Sequence, residues 1–292
     1  MDILSDIKRT FREGSAVTRL IYINLGVFLV VQIVGVGFYL TGKSNILPDI
    51  LSVPSNISEL FKRPWTPVTY MFLHTGFIHL LFNILGLYWF GKLFLYRLEG
   101  EKLLGVYLLG GISGAAFYVI SYNLFPVFDS INGLLLGASA SVFAILVAIA
   151  FYDPNNEIHL SFIGSFQLKY VALFYVLLSV IGISATNPGG NIAHLGGAAW
   201  GWFYIFQLRK GKDMGAGLVR FIDKISISIQ NLFRPKNNLK VTFKQTPRDD
   251  YEYNRLKKME QEEVNRILEK IGKSGYDSLS KSEKELLFRQ GK

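Results

Sequence analysis

Residues 134–152 read Leu-Leu-Leu-Gly-Ala-Ser-Ala-Ser-Val-Phe-Ala-Ile-Leu-Val-Ala-Ile-Ala-Phe-Tyr, a stretch without one charged side chain. Its apolar positions do not alternate with polar ones, as a barrel strand facing lipid would require, so it reads as a helix. Five further apolar runs lie at residues 20–40, 68–90, 103–124, 170–183 and 192–208. Several reach the roughly 20 residues that a bilayer-crossing helix needs. Lipid offers backbone groups no water and forces them into helices or closed barrels. The expected fold class is therefore all-α, a polytopic membrane protein built as a six-helix bundle.

The composition agrees. Half of the 292 residues are hydrophobic and 18% are charged, with a mean hydropathy of +0.29, where a soluble domain carries about 25% charged residues. Disorder and a disulfide-rich secreted scaffold are both excluded. The chain has no cysteine, which removes disulfides, thiolate metal sites and cysteine nucleophiles together. The net charge of +9 is unevenly placed: residues 1–208 hold 11 Lys/Arg against 10 Asp/Glu, and residues 209–292 hold 20 against 12. A nucleic-acid protein places its basic residues on a folded face beside groove-entering elements. Here they follow hydrophobic spans, so anionic lipid headgroups are the expected partner and nucleic acid is not.

Loop charges set the expected orientation, because Lys and Arg are retained on the cytoplasmic side. Lys8, Arg9, Arg12 and Arg19 precede the first run, Lys92, Arg97 and Lys102 are read as the loop after the second, and Arg209, Lys210 and Lys212 follow the sixth. Segments 125–133 and 184–191 contain neither residue. Lys43, Lys62 and Arg63 run against the pattern but are outvoted. Both termini are thus expected in the cytoplasm, with the chain in a cell membrane, a bacterial inner membrane by this reading. The first apolar run is too long for a cleavable signal peptide.

Four segments follow. Residues 1–19 are a cytoplasmic N-terminal segment and residues 20–208 the six-span domain. Residues 209–247 form a basic juxtamembrane linker, in which Leu218, Ile222, Ile225, Ile229 and Leu232 recur at helical spacing, either as a membrane-surface helix or as a plain linker helix. Residues 248–292 read as a small soluble helical hairpin after Pro247, its second helix opened by the capping box Ser280-Lys281-Ser282-Glu283.

Polar side chains inside spans are costly and functional by default. His79 and Asn83 are four apart and share a helix face; His74 lies five before His79, off that face. Ser139 opens the fourth run in Gly137-Ala138-Ser139-Ala140, and His194 opens the sixth in Asn191-Ile192-Ala193-His194-Leu195-Gly196-Gly197. Runs two, four and six traverse in one direction, so His79, Ser139 and His194 can share a depth. Between Ser139 and Tyr152 a helix covers only about 20 Å of a ~30 Å core, which would bury its N-terminus and its free N–H groups. Taken singly, Ser139 reads as a helix-packing serine, His194 as a buried hydrogen-bonded histidine and Asn83 as interhelical glue. Gly197 and Gly201, four apart, form a small-residue face that admits a close helix neighbour.

Together, His74 to Asn83, Gly137-Ala138-Ser139 and Ala193-His194-Leu195-Gly196-Gly197 with Gly201 resemble the rhomboid intramembrane serine proteases, over about residues 15–210. The likeness is to the prokaryotic, six-span type with a C-terminal cytoplasmic extension. It implies Ser139 as nucleophile and His194 as general base, with His79, Asn83 and the Ser139 backbone N–H around the oxyanion. It also implies Gly137, Gly197 and Gly201 as helix-packing residues at the site, His74 at the rim or in support, Trp65 at the membrane interface and Leu98-Glu99 as a family-like feature after the second span. Gly189-Gly190 would make the loop before span six flexible, and span five would move aside for a transmembrane protein substrate. Ala140 stands where the family often has Gly and is expected to narrow the oxyanion pocket. No cofactor is implied. A zinc site from His74, His79 and His194 lacks both an HExxH motif and a placed carboxylate. The competing functional class is a rhomboid-like binding module without catalysis; a transporter would carry paired intramembrane charges. Substrate identity and oligomeric state are not encoded in these motifs.

Overall fold

A computed structural model describes residues 3–160, 164–184, 187–233 and 250–290. The chain divides into two compact units, Met1–Leu232 and Phe233–Lys292.

The first unit opens with α1 (Ile3–Glu13) and α2 (Ala16–Leu40). Ser15 caps the start of α2, its Oγ accepting the Thr18 N–H at 3.2 Å, which satisfies an orphan donor of the new helix. Short elements follow: α3 (Leu47–Leu51), β1 (Val53–Pro54), α4 (Ile57–Lys62), α5 (Thr66–Thr69) and a single 3₁₀ turn, Tyr70–Phe72. Two long helices come next, α6 (Phe77–Arg97) and α7 (Gly100–Leu124). Next come β2 (Leu134–Leu135), α8 (Ser139–Tyr152), a hairpin of β3 (Glu157–Leu160) and β4 (Gly164–Gln167), α9 (Leu168–Gly182), α10 (Pro188–Leu208) and α11 (Ala216–Phe233).

By length and composition α2, α6 and α7 are long and apolar enough to cross a membrane; α8 and α9 are apolar but shorter. Each of the six apolar runs contains one long helix, but not with the expected limits. The second helix starts at Phe77 rather than residue 68. The residues before it turn inward, burying Tyr70, Met71, Leu73 and His74, so they cannot continue a lipid-facing helix. Residues 134–135 pair with β1 (Val53↔Leu135, Pro54↔Leu134), which delays α8 to Ser139. Lys92 and Arg97 belong to α6, leaving only Leu98 and Glu99 between α6 and α7. Strand ladders two to four residues long were invisible to the apolar pattern.

The centre of the unit is α7, α8 and α10. Gly197 and Gly201 of α10 lie against the Ala140 and Ala144 carbonyls of α8, and Gly110 and Gly114 of α7 make room for the Ala144 and Ala140 methyls. The missing side chains bring three backbones together, which is how helices gain dispersion energy where hydrophobic exclusion is weak. Helix α9 differs: of its residues only Leu168, Ala172 and Ser179 are buried.

The second unit is the helical hairpin α12 (Asp250–Ser274) and α13 (Lys281–Gln290). The capping box is closed in both directions: Ser280 N–H donates to the Glu283 carboxylate at 2.7 Å and Glu283 N–H to Ser280 Oγ at 3.3 Å. Lys270 of α12 ties Glu283 at 3.0 Å. The Ser280 backbone N–H, then the Lys270 ammonium, hold the Glu283 carboxyl down to about 2. Pro247 and the side chains of Ile229 and Leu232 lie outside the described residues; Ile222 and Ile225 on α11 are exposed.

Candidate active site

Ser139 is the first residue of α8, so its backbone N–H has no carbonyl inside the helix. The turn that delivers it is held from below. Gly137 N–H donates to the Tyr70 carbonyl at 2.9 Å and Ala138 N–H to His74 Nε2 at 3.3 Å. Gly137 has φ +115, and a Cβ there would come within 2.6 Å of the His79 ring. Gly137 is therefore a turn residue, not the helix-packing residue expected. His74 is fully buried under this turn, in support and not at a rim, with its ring 5.1 Å from that of His79.

His194, in α10, meets Ser139 across the glycine contact: Ser139 Oγ and His194 Nε2 are 2.8 Å apart. The other ring nitrogen, Nδ1, is 3.2 Å from Ser179 Oγ of α9. Phe143, one turn along α8 from Ser139, stacks on the imidazole at 4.3 Å and 13°. The ring is thus fixed at both nitrogens and on one face.

These residues share one cavity of about 650 Å³. His79 and Asn83 of α6 line it with Ser139 and His194; Trp89 and Tyr175 contribute walls from α6 and α9. One Asn83 amide N–H donates to the His79 carbonyl at 2.8 Å, and an amide carries a second. Among the described residues no three His, Cys, Asp or Glu side chains gather as a metal site.

Residues 62–211, just over half of the chain, match the Rhomboid domain family. The chain belongs to the rhomboid family. Similar rhomboid proteins include the mitochondrial RHOMBOID-like protein 12 of Arabidopsis thaliana, 27% identical over 211 residues, covering 68% of this chain and 60% of that protein. The chloroplastic Rhomboid-like protein 11 of the same plant is 26% identical over 222 residues, 72% of this chain and 71% of that one. The mitochondrial Presenilin-associated rhomboid-like protein A of Danio rerio is 31% identical over 140 residues, 46% and 35% respectively. The chain thus spans about 60% of the length of the first of these relatives. Residues 249–290 match a family of unknown function, DUF6576. The rhomboid domain and the apolar helices make this a membrane protein.

Within the rhomboid domain, two expectations are corrected. Gly189 and Gly190 are not loop hinges but lie in the first turn of α10, capped by Asn187; a Cβ on Gly189 would strike Tyr118 and Tyr122. Ala140 does not line the cavity, because its methyl points at Gly114 of α7. Trp65 is half-exposed and donates its indole N–H to the Ile50 carbonyl at 2.9 Å; Glu99 pairs with Lys102. Sequence reasoning missed Ser179 and Phe143. Phe143 was findable, since it shares a face with Ser139 at four-residue spacing. Ser179 carried only the weak signal of one hydroxyl in an apolar run.

Proposed function

We propose that this rhomboid is an intramembrane serine endopeptidase that cleaves transmembrane segments of membrane proteins with a Ser139–His194 dyad. The observation that carries the reading is the 2.8 Å contact of Ser139 Oγ with His194 Nε2 on the wall of a cavity also lined by His79 and Asn83. A serine hydroxyl is a weak nucleophile until a base takes its proton, and neutral imidazole is suited to that task near neutral pH. With Nε2 accepting from Ser139, Nδ1 carries the ring proton and donates to Ser179 Oγ, the place a carboxylate holds in a triad. Ser179 is in this reading a positioning residue.

Attack of Oγ on the scissile carbonyl forms a tetrahedral oxyanion, met by the Ser139 N–H, the Asn83 amide and the His79 ring. Each such donor contributes about 3 kcal/mol in the transition state. His194 then returns the proton to the leaving amine, and water hydrolyses the acyl-enzyme. The substrate helix must open locally to present its carbonyl, so helix-breaking and small residues near the cut favour turnover. Six membrane crossings rest on the six apolar runs, and the cytoplasmic termini with cleavage toward the extracytoplasmic face rest on the flanking cations. The basic segment 209–247 meets anionic headgroups.

Fluorophosphonate labelling of the purified protein tests the dyad without the natural substrate. Labelling of wild type that disappears in Ser139→Ala and His194→Ala supports it. A folded wild type that takes no probe, with the probe shown to enter the cavity, moves the assignment to a rhomboid-like binding module.

A further inference from the structure

We propose that the corner between α1 and α2 is a binding site for the headgroup of an anionic phospholipid. The corner is a concave groove of about 950 Å³, lined by Lys8, Arg9, Arg12 and Arg19 and floored by the apolar Phe11 and Ile23. Its shape is built in. Gly14 sits where a Cβ would strike the Thr10 carbonyl, which permits the tight bend. Arg19, in the first turn of α2, donates from Nε to the Phe11 carbonyl at 3.2 Å and from Nη2 to the Arg12 carbonyl at 2.9 Å. It thereby satisfies the carbonyl end of α1, where a cation is favoured, and locks the angle between the helices. Phe11 and Tyr22 meet edge to face at 6.4 Å.

The charge inside this frame is unbalanced. Arg9 is neutralised by Asp6 at 2.9 Å, and Glu13 is the one acidic residue on the lining. Lys8 and Arg12 stand one turn apart and have no ion-pair partner among the described residues. The location decides the occupant. Helix α2 is the most apolar of the candidate spans and begins at Ala16, so the groove lies where a span meets the headgroup layer. Beyond the cations the face of α2 continues through exposed Ile23, Val30 and Ile33. A phosphodiester set against Lys8, Arg12 and Arg19 would leave its acyl chain along that face. A soluble anion would use the cations and leave the apolar floor wet.

Native mass spectrometry of the full-length protein, exchanged into detergent with phosphatidylglycerol or phosphatidylcholine, tests this. Wild type is expected to retain phosphatidylglycerol at least about tenfold better, and K8Q/R12Q to lower that retention about tenfold or more, each cation near an anionic surface contributing about a factor of five. K257Q/K258Q removes the same charge from the C-terminal unit and is expected to leave retention unchanged. Equal retention of both lipids by wild type, or equal loss in both double variants, overturns the proposal. Displacement of the lipid by millimolar inorganic phosphate overturns it in favour of a free-anion site. If K8Q/R12Q elutes aggregated, R12K, which keeps the charge, and the wild-type lipid ratio with phosphate competition decide the matter.

Discussion

Helix α10 carries the imidazole of His194 and α9 touches it, and the two helices are held in opposite ways. Helix α10 packs backbone to backbone on α8 through Gly197 and Gly201, a contact with no side chain to adjust. Helix α9 buries three residues and exposes most of its apolar length, which places it toward the low-stability end of the unit. The tight contact fixes the distance between Ser139 and His194, and the loose one supplies the hydroxyl that orients the ring. Proximity and orientation, often treated as one requirement, are assigned here to two helices of different firmness.

The comparison breaks first at the tight side. Gly197→Val would drive a branched side chain into the Ala140 carbonyl, and we expect a loss of more than about 3 kcal/mol, seen as a lowered melting temperature with probe labelling gone. A near-wild-type Gly197→Val would show that α8 and α10 have room to move. Asn83→Ala should next lower kcat about 100-fold with little change in KM and an unchanged melting temperature, as for one lost oxyanion donor. A purely KM effect would remove Asn83 from the oxyanion.

The loose side gives the smaller effects. Ser179→Ala should reduce kcat on the order of tenfold while leaving KM and folding intact, and Ser179→Thr should recover most of it, because base catalysis depends on ring placement. Equal melting-temperature losses in both variants, without the kinetic split, would make Ser179 merely structural. The smallest effect lies in the C-terminal hairpin. The Glu283 carboxyl is depressed to about 2 by the Ser280 N–H and Lys270, so its stabilisation is present above the unfolded carboxylate value of about 4.3 and is lost as pH falls through 2. The protection of the α13 amides, measured against the exchange rate of an unstructured peptide at the same pH, should therefore fall between pH 5 and pH 2 in wild type, and less so in Glu283→Gln.

Legibility in the sequence followed the length scale of the signal. Runs of fourteen or more apolar residues located α2 and α6 to α10, and Ser139, His194, His79 and Asn83 were legible because polar side chains stand out against such runs. Gly197 and Gly201 were readable from their spacing, and the capping box from four residues. The start of α6 was not, since the apolar run continues back to residue 68 while Tyr70, Met71, Leu73 and His74 serve as buried packing ahead of the helix. The β1–β2 pairing joins residues some eighty positions apart through two residues each, which leaves no periodic trace. Ser179 was hidden for a related reason: its role comes from His194 on a neighbouring helix, and nothing on its own helix marks it.

The anchoring of the Gly137 turn to Tyr70 and His74 has a consequence for biosynthesis. A chain is made from its N-terminus, so on the proposed function the seat for the turn and the α6 donors His79 and Asn83 are synthesised before the nucleophile, and the base on α10 arrives last. An unfinished chain ending before residue 188 would hold a seated serine with nothing to take its proton. On that proposed function the nascent chain would be inert beside the other membrane proteins being inserted with it, and activity would begin only when the final long apolar helix joins the bundle.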